Sequence, residues 1–354
     1  MKRSLQLVVV LIIGGVALWL ALRGVHWGEF MAALGTLDLL LFAAGFGCFL
    51  LLHLLRSVRW GVLVRAVQPD VTFRSTLSIC SVGFMLINIL PFRLGEFARP
   101  YLLLEREEIP FGSGMATVVV ERVLDISALG VIFLGVLAFA DVPALTVAVP
   151  GADEPFDVVA AGRVGILGVL IPVALIIGLL LLLGDRGVQM ASAVRDRVPA
   201  GLLRLPFTLG VRFLETFLQA LRSLGSVRQA VLVIVWTAGL WLLNVLSILF
   251  TVQAFAFGAG IGFWAAGTIL VVICLALIAP APPGFAGVFE FACAVALALF
   301  GIGASEAAAF AVVLHSSQFF IVTVVGMYFA LVDRVSLRRM MEMTDELRAQ
   351  ARAA

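Results

Sequence analysis

The feature that most constrains this chain is a series of nearly uncharged apolar blocks. Each is about twenty residues long, the length a helix needs to cross a hydrocarbon core of roughly 30 Å. The blocks are continuous rather than alternating, so helices are expected and not a β-barrel. Hydrophobic residues make up 62% of the 354 and charged residues 13%, whereas a soluble domain is roughly half apolar and a quarter charged. The expected fold is an all-α polytopic membrane protein. Full spans are read at 5–22, 38–58, 113–140, 162–184, 229–257 and 304–332. The first follows Lys2 and Arg3 like a secretory leader, but it is long and lacks a small-residue cleavage site. It is therefore read as a retained span.

Two further apolar regions are broken. Residues 71–104 are interrupted from Asn88 to Glu96, around Pro91, Arg93 and Gly95. Residues 262–301 are interrupted from Ala279 to Glu290, around Pro280, Pro282, Pro283, Gly284 and Gly287. Proline lacks an N–H and biases its predecessor out of helix, so both regions should break there. The positive-inside rule sets the topology. Residues 185–228 carry seven arginines against three acids, and residues 141–161 carry four acids with no lysine or arginine. The former is read as cytoplasmic and the latter as external. Arg56, Arg59 and Arg65 place the end of the second span inside, and Arg334, Arg338 and Arg339 do the same for the C-terminus. Each broken region then enters and leaves on one side, the first from the cytoplasm and the second from outside. The expected architecture is about six full spans plus two hairpins of short broken helices, in an inverted-topology repeat. It forms a single transmembrane domain, 1–333, with halves 1–145 and 160–333 and both termini cytoplasmic. Residues 185–228 read as an amphipathic cytoplasmic segment, and 334–354 as a short cytoplasmic tail.

The net charge of +2 leaves no basic field for nucleic acid. Cys48, Cys80, Cys274 and Cys293 are isolated, and His26, His53 and His315 lie far apart, so no metal is expected. No nucleotide loop, zinc-protease helix or nucleophile elbow is present. No cofactor and no catalytic residue are expected.

Charges at membrane depth cost about 2.5–3.5 kcal/mol on insertion scales, so each needs a partner or a wet cavity. Arg93 and Glu96 share the first break with Asn88, where inverted repeats place substrate sites. Arg93 can grip a phosphate bidentately, or simply pair with Glu96 near the surface. Glu290 lies in the second break with Pro283, Gly284 and Gly287. It has no nearby cation in sequence, so it takes a distant one or a proton, or caps freed backbone groups. Glu121, Arg122 and Asp125 fill one helical turn. They line a polar path or lock helices together. His315 and Gln318 form a polar turn on the last span, with helix–helix hydrogen bonding as the leading reading. Arg56 and Arg59 sit beside Trp60 at a helix end, where snorkelling and interfacial anchoring lead. His53 reads as a packed residue.

Taken in order, Arg56-x-x-Arg59-Trp60, Asn88-x-Leu90-Pro91-x-Arg93-x-Gly95-Glu96, Glu121-Arg122-x-x-Asp125 and Pro283-Gly284-x-x-Gly287-x-x-Glu290 carry a resemblance. The chain resembles the lysylphosphatidylglycerol synthase transmembrane-domain family, also called flippase-like proteins, over nearly its whole length. In the multiple peptide resistance factor, such a domain precedes a soluble aminoacyl-transfer domain and is associated with moving aminoacylated phosphatidylglycerol between leaflets. The resemblance implies the translocase part without the synthase, in a bacterial or archaeal cytoplasmic membrane. The expected function is flipping of an anionic or aminoacylated phospholipid or a polyprenyl-linked lipid, bound where the two hairpins meet. Substrates do not transfer by analogy. A small anionic solute transporter, an intramembrane lipid-carrier transferase and a non-catalytic partner of a lipid-modifying enzyme therefore stay open. Membrane lipids and a lipid substrate are the expected partners. A second copy or a lipid-modifying enzyme are the protein partners this class allows.

Overall fold

The computed structural model describes residues 2–90, 95–140, 146–147, 156–157, 227–278 and 282–335. They form ten α-helices: α1 (Lys2–Leu22), α2 (Trp27–Gly35), α3 (Leu39–Val67), α4 (Phe73–Ile89), α5 (Ala98–Glu107), α6 (Phe111–Phe139), α7 (Val227–Gln253), α8 (Phe263–Ala276), α9 (Val288–Ala298) and α10 (Ala304–Val332). One two-residue antiparallel pairing joins Thr146–Val147 to Phe156–Asp157. Four helices, α3, α6, α7 and α10, are long and apolar enough to cross a membrane; Leu11–Leu22 of α1 and α2, bent by 79° at their junction, reach that length only when counted together. The span read at 162–184 lies outside the described residues. Segment 185–228 and tail 334–354 also lie outside them, apart from a residue or two at their edges. Helix α2 lies between the spans read at 5–22 and 38–58 and was not assigned from the sequence.

Local chemistry sets the boundaries. The Asp38 carboxylate accepts from the N–H groups of Leu40 and Leu41 and starts α3. Thr72 caps α4 through Ser75 N–H. Each satisfies backbone donors that the first helical turn leaves free. Leu90, before Pro91, is extended and ends α4, as a residue before proline should.

The first broken region is a hairpin in which α5 runs back along α4. Ser75 donates to Glu107, and Arg106 Nη1 donates to Ser78 Oγ at 3.1 Å. Arg99 crosses Gly83, and Gly95 lies on the backbone of Leu86 and Ile87. These contacts pair residues in antiparallel order, so the hairpin leaves where it entered. At 1.5 Å per residue α4 is roughly 25 Å long and α5 roughly 15 Å, short of a full crossing. In the second broken region α8 packs on α9, with a one-turn helix, Pro283–Phe285, just before α9.

The order span, hairpin, span therefore occurs twice among the described residues, as α3, α4–α5, α6 and as α7, α8–α9, α10. The two sets interlock: α3 packs on α7, α6 on α8, and α10 on α4. Gly326 lets α10 approach α4 so closely that a Cβ there would sit 2.4 Å from Met85 Cβ. Close backbone approach at small residues is how helices associate without a hydrophobic drive between them.

Candidate functional site

A charge network lies between the first hairpin and spans α3 and α6. Arg59 on α3 reaches Asp125 at 2.6 Å and Glu121 at 3.4 Å. Arg99 on α5 reaches Glu121 at 2.7 Å. Arg122 reaches Glu121 at 2.6 Å and Asp125 at 3.4 Å. The side chains of Arg59, Arg99 and Glu121 are 0% exposed. Glu96 is near enough to act electrostatically on Arg122. Arg56 stands 4.2 Å from the centroid of the Phe84 ring, and Arg99 stands 4.8 Å from the same centroid. Guanidinium over an aromatic ring is a favourable contact that grows with desolvation.

Neutral side chains surround the network. Trp241 Nε1 donates to Asp125 at 3.3 Å, Arg59 also donates to Thr237 Oγ1 at 3.4 Å, and Trp60 Nε1 donates to Thr117 Oγ1 at 3.1 Å. Four guanidinium groups (Arg56, Arg59, Arg99, Arg122) thus face three carboxylates (Glu96, Glu121, Asp125) among the described residues. Four buried guanidinium nitrogens have neither a hydrogen bond nor an ion-pair contact there: Nε of Arg59, Nε and Nη2 of Arg99, and Nε of Arg122. A buried donor without a partner costs about 1–3 kcal/mol, more when charged. A cluster of them, with cation in excess, has the chemistry to take up anionic oxygen.

Its depth follows from the helical rise. Arg59 is roughly 12 Å from the Val67 end of α3, and Glu121 roughly 15 Å from the Phe111 end of α6. Both ends belong to the side of the bundle that the arginine bias reads as cytoplasmic. The network is therefore inside the apolar zone, nearer that side.

A second polar group lies in the other hairpin. Glu290 Oε1 is 2.6 Å from His315 Nδ1 on α10. Glu290 Oε2 accepts from Gly287 N–H at 2.6 Å. The Phe289 ring stacks on His315 at 4.4 Å and Phe319 meets it edge-on at 6.5 Å. Gly287 has φ +83°, and a Cβ there would lie 2.0 Å from the Gly14 carbonyl oxygen of α1. Gly284, φ +68°, lies between Phe319 and the carbonyl of Asn88, with a would-be Cβ 3.3 Å and 3.9 Å from them. Only glycine takes such φ values without strain. The two breaks therefore touch, Asn88 of the first against Gly284 of the second.

Several expectations change. Arg59 does not snorkel and Trp60 does not anchor at an interface, because both are fully buried. Arg56 is half-buried against Phe84 rather than extended to a surface. His315, read first as helix glue, does bond across helices, and its partner is Glu290, whose own partner was not visible in sequence. Gln318, one turn on, is half-buried. Pro283 opens the turn at Gly284. Arg93 lies outside the described residues. His53 is buried and shares a hydrogen bond of 3.1 Å with Ser81. Arg99 is a residue the sequence reading missed. Its signal was a lone cation inside the apolar run 97–104, which the cost of a charge at that depth should have flagged.

The pattern has counterparts among known proteins. A family model described as the lysylphosphatidylglycerol synthase TM region matches residues 6–326. The protein named Glycosyltransferase AglD, of Haloferax volcanii, is 26% identical over 98% of this chain, which spans 57% of that protein. A protein named UPF0104 membrane protein, of Methanocaldococcus jannaschii, is 36% identical over 22% of this chain and 23% of its own length. The chain thus spans little more than half of one relative and under a quarter of the other. No solved structure matches.

Proposed function

This chain belongs to the lysylphosphatidylglycerol synthase transmembrane-region family, and from that premise we propose that it moves an anionic lipid headgroup across the bilayer without altering it chemically. The observation that carries this reading is the buried guanidinium excess with its unpartnered nitrogens. A phosphate brings both the missing charge and several acceptor oxygens, and guanidinium matches its geometry bidentately. Acyl or prenyl chains stay in the lipid while the headgroup crosses. The interlocked packing of α3 on α7, α6 on α8 and α10 on α4 supports inverted halves that rock about a shared site. The arginine-rich end, with both termini, faces the cytoplasm in this reading.

The test uses purified protein in liposomes containing NBD-labelled phosphatidylglycerol, with dithionite bleaching to report the leaflet. Arg56 is the probe of choice, because it feels Asp125 and Glu121 only at a distance and ion-pairs with no carboxylate among the described residues. Arg56→Gln removes a cation without orphaning a buried acid. The loss of one charge-assisted contact predicts flipping slowed by about tenfold or more. Wild-type protein that flips neither this lipid nor its aminoacylated form, or an Arg56→Gln variant at full rate, overturns the reading.

A second reading, glycosyl transfer on a lipid carrier, draws on the printed name of the Haloferax relative. Sugar transfer to a polyprenyl phosphate by the purified chain would favour it.

A further inference from the structure

We propose that Glu290 and His315 form a proton-binding pair that couples headgroup movement to a proton gradient, an inference that rests on the transport reading above. The two groups share one short contact of 2.6 Å, and both side chains are 17% exposed. They are neither sealed off like Glu121 nor free in solvent. Groups this close take up and release protons as one unit. Imidazole is the side chain whose charge changes between pH 5 and 8.

The step balances simply. With Nδ1–H donating to Glu290 Oε1, Nε2 of His315 is the free base. A proton from water on Nε2 turns the pair from net −1 to a neutral imidazolium–carboxylate pair. Its release restores the −1 state. No other bond forms or breaks.

Among the described residues, no other charged group pairs with Glu290 or His315 and holds the pair in one state. Helix α9 itself adds the Cys293 thiol, which feels the Glu290 charge. Of the helices packed on α9 and α10, α1 has no ionisable residue from Leu5 to Leu22, and α8 has only Cys274. Helix α7 has only Arg228, in its first turn, and α2 has only Glu29, near the start of α10. Helix α4 has Cys80 and Arg74, the latter bonded to Asp333. The cations and acids of α3 and α6 belong to the other network, apart from Arg65 and the neutral contacts of Cys48 and His53.

The pair is also wired to the part that should move. Glu290 holds the Gly287 N–H with its second oxygen, and Gly287 is the left-handed residue backed on α1. Three residues earlier, Gly284 touches Phe319 and lies near the Asn88 carbonyl. Glu290 stays a carboxylate in both states, but an imidazolium draws its negative charge toward Oε1 and so loosens the grip of Oε2 on the Gly287 N–H. The turn is where the two hairpins meet, so the proton state bears on their contact.

The experiment has two arms. In liposomes with NBD-labelled phosphatidylglycerol and an internal pH dye, wild type should flip lipid several-fold faster with a pH gradient than without, and dissipate the gradient as it does so. Glu290→Gln, which cannot hold the charge, and His315→Arg, which keeps the pair but cannot titrate, should each show a single rate whatever the gradient. In lipid-free detergent, the infrared difference between wild type and His315→Arg across pH 5–8 should show one imidazole taking up a proton. Wild type that flips at one rate regardless of gradient overturns coupling and leaves transport standing. Wild type that flips nothing overturns transport and coupling together. A flat infrared titration shows that the pair binds no proton in this range and overturns the inference whatever the lipid assay gives.

Discussion

The two breaks look alike in sequence and differ in how they handle charge. The first is tied into a network of Arg59, Arg99 and Arg122 around Glu121 and Asp125, drawn from three helices and partly 0% exposed. The second carries one carboxylate and one imidazole, with some exposure and a single shared contact. A carboxylate ringed by three guanidinium groups has no room to change its charge. An imidazole beside one carboxylate has. The first break is thus a fixed electrostatic surface suited to holding a ligand, and the second a light one suited to switching.

Removing the hub of the network breaks this contrast most severely. Glu121→Gln keeps the side-chain shape but leaves Arg59, Arg99 and Arg122 with only Asp125 and Glu96 between them. Orphaning a buried charge costs about 3–5 kcal/mol. The variant should lose most folded protein or unfold far below wild type by thermal melting in detergent. A melt within a few degrees of wild type would show that water or lipid already compensates the arginines.

A gentler change attacks the same network sterically. A Cβ on Gly83 would fall 2.3 Å from Arg99 Cγ, so Gly83→Ala must push Arg99 off Glu121. Overpacking of this kind costs about 1–3 kcal/mol. Because Arg99 also lines the proposed headgroup site, flipping should drop along with the melting temperature. Stability lost with flipping intact would place the headgroup elsewhere.

The second break should tolerate more. His315→Asn removes one hydrogen-bonded partner, while Glu290 keeps the Gly287 N–H and its partial exposure to solvent. The expected cost is about 0.5–1.5 kcal/mol, well below that of Glu121→Gln in the same melting assay. Equal costs would erase the distinction between a fixed and a switching break.

What sequence could convey follows the same division. Span lengths and breaks were legible because proline and block length act locally, as at Leu90 and at the turn from Pro283 to Phe285. The acids were legible too, since Glu121, Asp125 and Glu290 stand out in apolar runs. Their partners were not, because pairing across helices depends on which faces meet. Arg59 lies 66 residues from Asp125, and His315 lies 25 from Glu290. Arg59 illustrates the trap: the apolar block ends near residue 58, so Arg59 reads as a helix-end residue, but α3 runs on to Val67 and carries it inside. The bend between α1 and α2 was hidden as well, since a hydrophobic run says nothing about its angle to the next.

A weaker difference lies at the arginine-rich end, where the first hairpin is clasped to the last span. Asp333, just past α10, bonds Arg74 at 2.9 Å, Arg106 at 3.0 Å and Ser78. Burial opposes its ionisation, but the hydrogen bonds from Ser78 and Arg74 and the charge of Arg106 outweigh it and hold the carboxyl below the usual aspartate range. A carboxyl lowered in the folded state adds stability that is complete above its unfolded value, about 3.9, and is lost as pH falls through its folded value. Arg74 is largely exposed, so the clasp is worth only about 0.2–1 kcal/mol. Asp333→Asn should therefore melt slightly lower than wild type from pH 5 to 8, with the gap closing only below about pH 4. A gap that persists in acid would mean that packing, not charge, holds the first hairpin to α10.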